Sequence, residues 1–293
     1  LDWFARRGDI ETFEALTRAR KLQALWDDYF AGNPDDVEAL LLYGKFKRAT
    51  GSYEAAYKVF KHIDELDPNI AVVKQQLGTY EGEVGNYEFA YEHLKAAVEL
   101  APNQAVYHSQ LGQLLVIYRV DFVRSGKFDQ ATIDAMFLNS FEKASALEPA
   151  REDYKWRYAQ SFYDVGKADW QKSLRIWDEL LKDAALGIEK ETVNANRARV
   201  LIELYRDDEA AAILEEIKSP SLQDAKETML AIIRKDSSGS EAKVLKKIIA
   251  EQENASRLKS AADGALDSLK KPEGGGKACD KSDLPLENKT YTY

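Results

Sequence analysis

The side chains best suited to chemistry are few and scattered. The chain has three histidines, His62, His93 and His108, and one cysteine, Cys279. No histidine forms an HxxxH pair or stands beside a carboxylate at ligand spacing, so surface or packing roles are expected rather than metal binding. Cys279 lies near the C-terminus with no neighbouring histidine to activate it, and a single cysteine cannot build an intramolecular disulfide framework. Gly126-Lys127 and Gly166-Lys167 lack the upstream glycine of a phosphate loop, and Gly274 to Lys277 follows no strand. Asn254-Ala255-Ser256 and Asn288-Lys289-Thr290 fit the glycosylation sequon, a pattern short enough to arise by chance. With no catalytic constellation and no cofactor motif, neither an enzyme nor a bound cofactor is expected. The chemistry left is recognition by surface side chains.

Composition narrows the partners. Of 293 residues, 31% are charged, with a formal net charge of −9, which argues against nucleic acid because phosphate binding needs a basic face. The richest apolar stretch, Leu111 to Val123, is broken by Arg119 and Asp121, so no segment reads as a membrane span. The chain begins at Leu1 rather than Met, and a segment upstream is expected to have been removed or left out. Other proteins are the partners this composition favours.

The elements that position those side chains emerge from an internal repeat. Val37 to Ile70 and Ala71 to Gln104 superimpose without a gap. Gly44 matches Gly78, Gly51 matches Gly85, Tyr53 matches Tyr87, Ala56 matches Ala90, Leu66 matches Leu100 and Pro68 matches Pro102, each pair 34 residues apart. Gly44 and Gly78 sit inside a first helix, where a missing side chain admits a partner helix. Gly51 and Gly85 follow that helix, where a left-handed residue ends it cheaply. Ala56 and Ala90 are small because they face the helix crossing, and the prolines stop the second helix. A third copy begins at Ala105, with Leu111-Gly112 in place, and ends with Phe141, Ala144, Leu147 and Pro149. Its closing proline comes 47 residues after Pro102, an excess of 13 expected around Val120 to Ile133, lengthening the first helix and the turn near Gly126.

Looser copies flank these. One runs from about Glu152, with Tyr158-Ala159, Gly166, Trp170, Ser173 and Trp177 in equivalent roles; a weaker one spans Glu189 to Lys218. Asp9 to Arg20 and Leu22 to Ala31 read as a further helical pair closed by Asn33-Pro34. The expected organisation is an N-terminal helical pair over 1–36, three repeats over 37–149, degenerate hairpins over 150–220, capping helices over 221–270 and an extended tail over 271–293. Within the capping segment, Leu222 to Arg234 and Ser240 to Leu269 read as amphipathic helices. The second either covers the open end of the array or is offered to a partner's groove.

The glycine, aromatic, alanine and proline positions of 37–149 resemble the signature of the tetratricopeptide-repeat (TPR) family. The resemblance implies an all-α, right-handed superhelical solenoid of helical hairpins, a non-catalytic scaffold whose concave groove is lined by first helices. In the chaperone-binding subclass five groove positions hold Lys, Asn, Asn, Lys and Arg; here they are Leu41, Lys45, Gln76, Val106 and Gln110, so capture of an acidic C-terminus is disfavoured. The groove is mixed instead, with Glu38, Lys45 and Arg48, then Gln75, Thr79 and Glu83, then Ser109, Gln113 and Ile117. Trp156 and Tyr163 are candidate peptide anchors among aromatics that mostly wedge between helices. In the tail, Leu284, Leu286, Tyr291 and Tyr293 are nearly the only large apolar groups, too few to order 271–293 unaided, and are expected to be docking anchors beyond a Gly274–Gly276 joint. Two roles fit: a structural or assembly subunit of a larger complex, or a free adaptor or co-chaperone holding an extended peptide.

Overall fold

A computed structural model describes residues 2–184 and 187–236. The helix expected from Ser240, the tail with its four anchors, Cys279 and both sequons lie outside the described residues. Among those described, every regular element is helical: α1 (Asp2–Gly32), α2 (Val37–Ala49), α3 (Tyr53–Leu66), α4 (Ala71–Glu83), α5 (Tyr87–Leu100), α6 (Ala105–Ile117), α7 (Arg119–Arg124), α8 (Gln130–Leu147), α9 (Glu152–Ser161), α10 (Trp170–Asp183), α11 (Ile188–Glu203), α12 (Asp207–Glu215) and α13 (Gln223–Asp236). None of these helices is long and apolar enough to cross a membrane. They fall into two compact units, one reaching Leu100 and the other beginning at Ala101.

In the first unit α2 pairs with α3 and α4 with α5. A Cβ on Gly44 would lie 2.7 Å from the Phe60 ring, and one on Gly78 would lie 2.8 Å from Leu94 Cγ and 3.0 Å from the Ala90 carbonyl oxygen. Glycine is therefore required there by close approach. Ala56 and Ala90 are 1% and 0% exposed, as the repeat predicts. The core between hairpins joins Leu40, Ala56, Phe60, Ile63, Val73 and Leu77, so α3 is covered by α2 on one side and α4 on the other. Each turn ends its first helix with a left-handed glycine, Gly51 at φ 76° and Gly85 at φ 89°. Around it the Ser52 amide donates to Lys47 O and the Asn86 amide to Glu81 O, pairing helix-end carbonyls.

Where a helical pair was expected before Pro34, α1 is one continuous helix. The reason is visible in the register. The residue 34 places before Gly51 is Thr17, and a β-branched side chain is a poor occupant of the left-handed region a turn needs. With neither Gly nor Pro between Thr17 and Lys21, nothing stops the helix.

In the second unit the same glycine contact recurs across the insertion: a Cβ on Gly112 would meet the Phe141 ring at 2.9 Å. The extra residues do not lengthen the first helix, since α6 has 13 residues like α2 and α4. They form α7 and a longer second helix, α8, of 18 residues. Phe122 of α7 is buried against Phe128, ring centroids 5.5 Å apart. Downstream, Ala159 and Trp177 are buried on α9 and α10, and Ala198, Ala210 and Leu214 on α11 and α12. The α11–α12 turn has Tyr205 at φ 59° where earlier turns have glycine, with the Arg206 amide donating to Leu201 O as in the others.

Candidate functional site

The candidate binding residues expected from the repeat lie on the first helices of the hairpins, α2 and α4 in the first unit and α6 in the second. On α2 of the first unit, Asp36 caps the helix by accepting from the Ala39 amide at 3.1 Å. Its carboxyl is held below the ordinary range, first by the Tyr29 hydroxyl at 2.6 Å and then by that amide. Beyond this cap Lys45 is exposed, and Arg48 lies over the Tyr53 ring, 5.8 Å from its centroid, and 3.9 Å from the Glu83 carboxylate. Leu42, one helical turn before Phe46, is 54% exposed. Sequence reading missed it, because leucine on an amphipathic helix reads as core until the faces are assigned.

On α4 the polar residues are knitted together. Gln76 Nε2 donates to Gln75 Oε1 at 2.6 Å, Gln75 Nε2 to Thr79 Oγ1 at 3.2 Å, and Thr79 Oγ1 to the Gln75 carbonyl at 2.9 Å. Gln75 is buried by this arrangement, leaving Thr79 half-exposed. Gln76 Oε1 is shielded from solvent without a hydrogen-bond partner in the structure. An acceptor so placed costs stability unless a donor arrives. Behind it, Tyr57 stacks on Tyr80 at 4.4 Å and donates to the buried Glu81 carboxylate, which also accepts from Asn86 Nδ2 at 2.6 Å. That hydrogen bond, reinforced by burial, pushes the Tyr57 hydroxyl up to about 12.

In the second unit, Gln110 of α6 repeats the motif: its Oε1 is shielded and unpartnered. Gln113, one turn on, is exposed and accepts from Arg157 Nε at 3.2 Å. Ile117 at the end of α6 is partly exposed, and so is Val106 near its start. Trp156 is half-buried, edge-on to Trp177 at 5.0 Å. Tyr163 is more enclosed than Trp156. It lies in a 3₁₀ turn after α9, buried, with its hydroxyl donating to Asn196 O at 3.1 Å and its ring under the Arg199 guanidinium at 4.1 Å.

The insertion is held in place by a small ionic knot. Asp134 of α8 pairs with Arg119 Nη2 at 2.7 Å, accepts from Gln130 Nε2 at 2.7 Å, and accepts from the Gly166 amide at 3.1 Å. Thus α7, α8 and the α9–α10 connection share one carboxylate. Val120, next to Arg119 on α7, is 50% exposed.

The histidines are placed apart. His62 Nε2 is 2.8 Å from Asp35 Oδ1 at the surface, and buried His108 donates from Nε2 to the Pro102 carbonyl at 2.8 Å. Half-buried His93 has its basicity lowered, chiefly by burial and then by Lys74. Among the described residues no group of three or more His, Cys, Asp or Glu side chains is placed to hold a metal ion.

No protein-family model matches the chain, and no curated protein matches it either. Solved structures do. YrrB, "a TPR protein with an unusual peptide-binding site", is 13% identical with a TM-score of 0.53, over 65% of this chain and 89% of that one. The Naa15/Naa10 complex bound to HypK-THB gives 14% identity and a TM-score of 0.49, over 88% and 39%. A mutant O-GlcNAc transferase from Thermobaculum terrenum gives 21% and 0.41; the match covers 51% of this chain and only 26% of the transferase.

Proposed function

We propose that this chain, which has the tetratricopeptide-repeat fold, is a non-catalytic scaffold for protein–protein interaction, acting as a structural or assembly subunit of a larger complex. The observation that carries this reading is the built insertion. A minimal array needs no α7, yet α7 buries Phe122 and is tied through Arg119 and Asp134 to the next hairpin's turn. Holding a partly buried charge pair in fixed geometry costs desolvation and side-chain entropy. The result is an added surface, anchored at Phe122 and Asp134, that presents Val120 and Arg124 and suits a lasting contact. In this reading the tail residues Leu284, Leu286, Tyr291 and Tyr293 are further docking anchors. Affinity purification of the tagged full chain with mass spectrometry tests it: Val120→Glu with Arg124→Glu should lose specific partners that the wild type retains. An unchanged partner set would remove the insertion from the account.

A second reading is a free adaptor holding an extended peptide along a first-helix face. It is supported by Gln76, whose Oε1 is shielded and unpartnered, on the unit whose first helices also carry Leu42, Lys45, Arg48 and Thr79; the second unit by itself has Gln110, with the same unpartnered Oε1, and Gln113 on one first helix. Gln76→Leu distinguishes the two readings. It should abolish peptide capture in the adaptor and leave subunit assembly intact.

A further inference from the structure

The outer stripe of α2 differs from its counterpart on α4. Glu38, Leu42, Lys45 and Ala49 recur at helical spacing and are all exposed, Leu42 at 54%. The residues 34 places on are Val72, Gln76, Thr79 and Glu83, and the first three of these are half-buried. Neither Glu38 nor Lys45 has an ion-pair partner among the described residues. They stand about 10 Å apart along the helix axis, too far to pair with each other. Arg48, three residues beyond Lys45, is held only loosely, 3.9 Å from the Glu83 carboxylate. One open face of α2 thus runs acid, leucine, base, base.

A segment of the same chain carries the complementary order. Residues 237–293 follow the last described helix, and residues 281–289 within them read Lys-Ser-Asp-Leu-Pro-Leu-Glu-Asn-Lys. Pro285 fixes its own φ and disfavours a helical Leu284, which favours an extended run of three residues per turn and about 3.1 Å per residue. On such a run Lys281, Leu284 and Glu287 share one edge, and Asp283, Leu286 and Lys289 share another. Each edge carries a base, a leucine and an acid about 9 Å apart, in opposite senses along the chain. Laid on α2, either edge sets a lysine against Glu38, a leucine against Leu42 and a carboxylate against Lys45 and Arg48. Leu42 and Arg48 are likewise about 9 Å apart along the axis. Residues 237–280 form a tether of about 35 Å even as a coil, so the segment is not confined to the helix it follows.

We propose that residues 281–289 dock on the Glu38–Arg48 stripe of their own chain. The contact rests on the adaptor reading, in which this face receives an extended peptide, and it supplies that peptide from within. The leucine seated on Leu42 gives the apolar part, and the flanking charges set the register. Leu284 and Leu286 then serve an external partner only after leaving α2, so the stripe and the tail anchors are released together.

Cys279, the only cysteine of the chain, stands two residues before the segment and provides the test. The full chain carries a photoactivated benzophenone on Cys279, and cross-links are mapped by mass spectrometry in an equal mixture of isotope-labelled and unlabelled chains. They should fall within residues 36–53 and join residues of one isotopic kind. Leu42→Glu, at an exposed site, should cut their yield roughly tenfold or more with unchanged helicity. Lys45→Glu should cut it about two- to fivefold, and adding Asp283→Lys with Glu287→Lys should restore part of that loss. Cross-links that avoid α2, that join the two isotopic kinds, or that persist in Leu42→Glu overturn the proposal. Gln76→Leu, which tests the adaptor reading, lies on α4 outside this stripe, so either can fail alone.

Discussion

Residues 22–30 of α1 and 56–64 of α3 hold the same places in a 34-residue register, yet one face is open and the other closed. The difference traces to the turn. Gly51 sits at φ 76° and lets α2 fold onto α3, whereas Thr17 stays helical and α1 runs straight. The α11–α12 turn lies between these cases, with Tyr205 at φ 59° in the place within its turn that Gly51 holds in its own. A single residue per hairpin decides whether the apolar face of the second helix is satisfied within the chain, and the packing residues follow.

The largest expected effect compares the same register position in the two settings. Phe60→Ala removes a ring enclosed on both sides and should cost about 3–5 kcal/mol in chemical denaturation. Trp26→Ala, in a half-covered site, should cost about half of that or less. Equal costs would mean that α1 is covered after all. Next, Gly51→Thr places the α1 turn residue into a closed hairpin. It should destabilise by about 1–3 kcal/mol through the left-handed backbone, and a neutral result would break the argument for why α1 is unbroken.

A smaller effect comes from the polar network behind α4. Tyr57→Phe leaves the buried Glu81 carboxylate short of a donor and should cost about 1–2 kcal/mol. The same bond has a pH signature. Its hydroxyl is raised from 10.0 to about 12, so the folded state favours the protonated form. The contribution is intact below pH 10 and is lost as pH rises through 12. Melts across pH 9–12 should show a decline for the wild type that Tyr57→Phe lacks in part. The smallest change is a gain: Tyr205→Gly relieves the left-handed strain and should stabilise by about 0.5–1 kcal/mol net of glycine's entropy.

Much of the fold was legible because it rests on small residues at fixed intervals. Gly44, Gly78, Ala56 and Ala90 are dictated by helix approach, and Gly51 and Gly85 by backbone conformation, and such constraints leave a mark in sequence. The fusion of α1 left one too, since Thr17 stands where a turn glycine belongs, but apolar periodicity alone suggested two helices. The extra residues expected around Val120 to Ile133 take the form of α7 and a longer α8 rather than a longer first helix, and a six-residue helix such as α7 is too short to show a period. The candidate site was less legible. Lys45 and Arg48 stand on α2, but the burial of Gln75 and Tyr163 comes with Thr79, Asn196 and Arg199, partners whose proximity exists only after folding. The openness of Leu42 likewise depends on which face the neighbouring helices occupy.

The central claim is that this chain works as a subunit held by other proteins. The most direct measurement is the size of the native species: extracts from the source organism separated by size exclusion, with the chain followed by antibody. Migration well above a dimer of the chain is expected, in one peak with specific partner proteins, shifted downward by Val120→Glu with Arg124→Glu. A wild-type chain that elutes solely as monomer or self-dimer would contradict it.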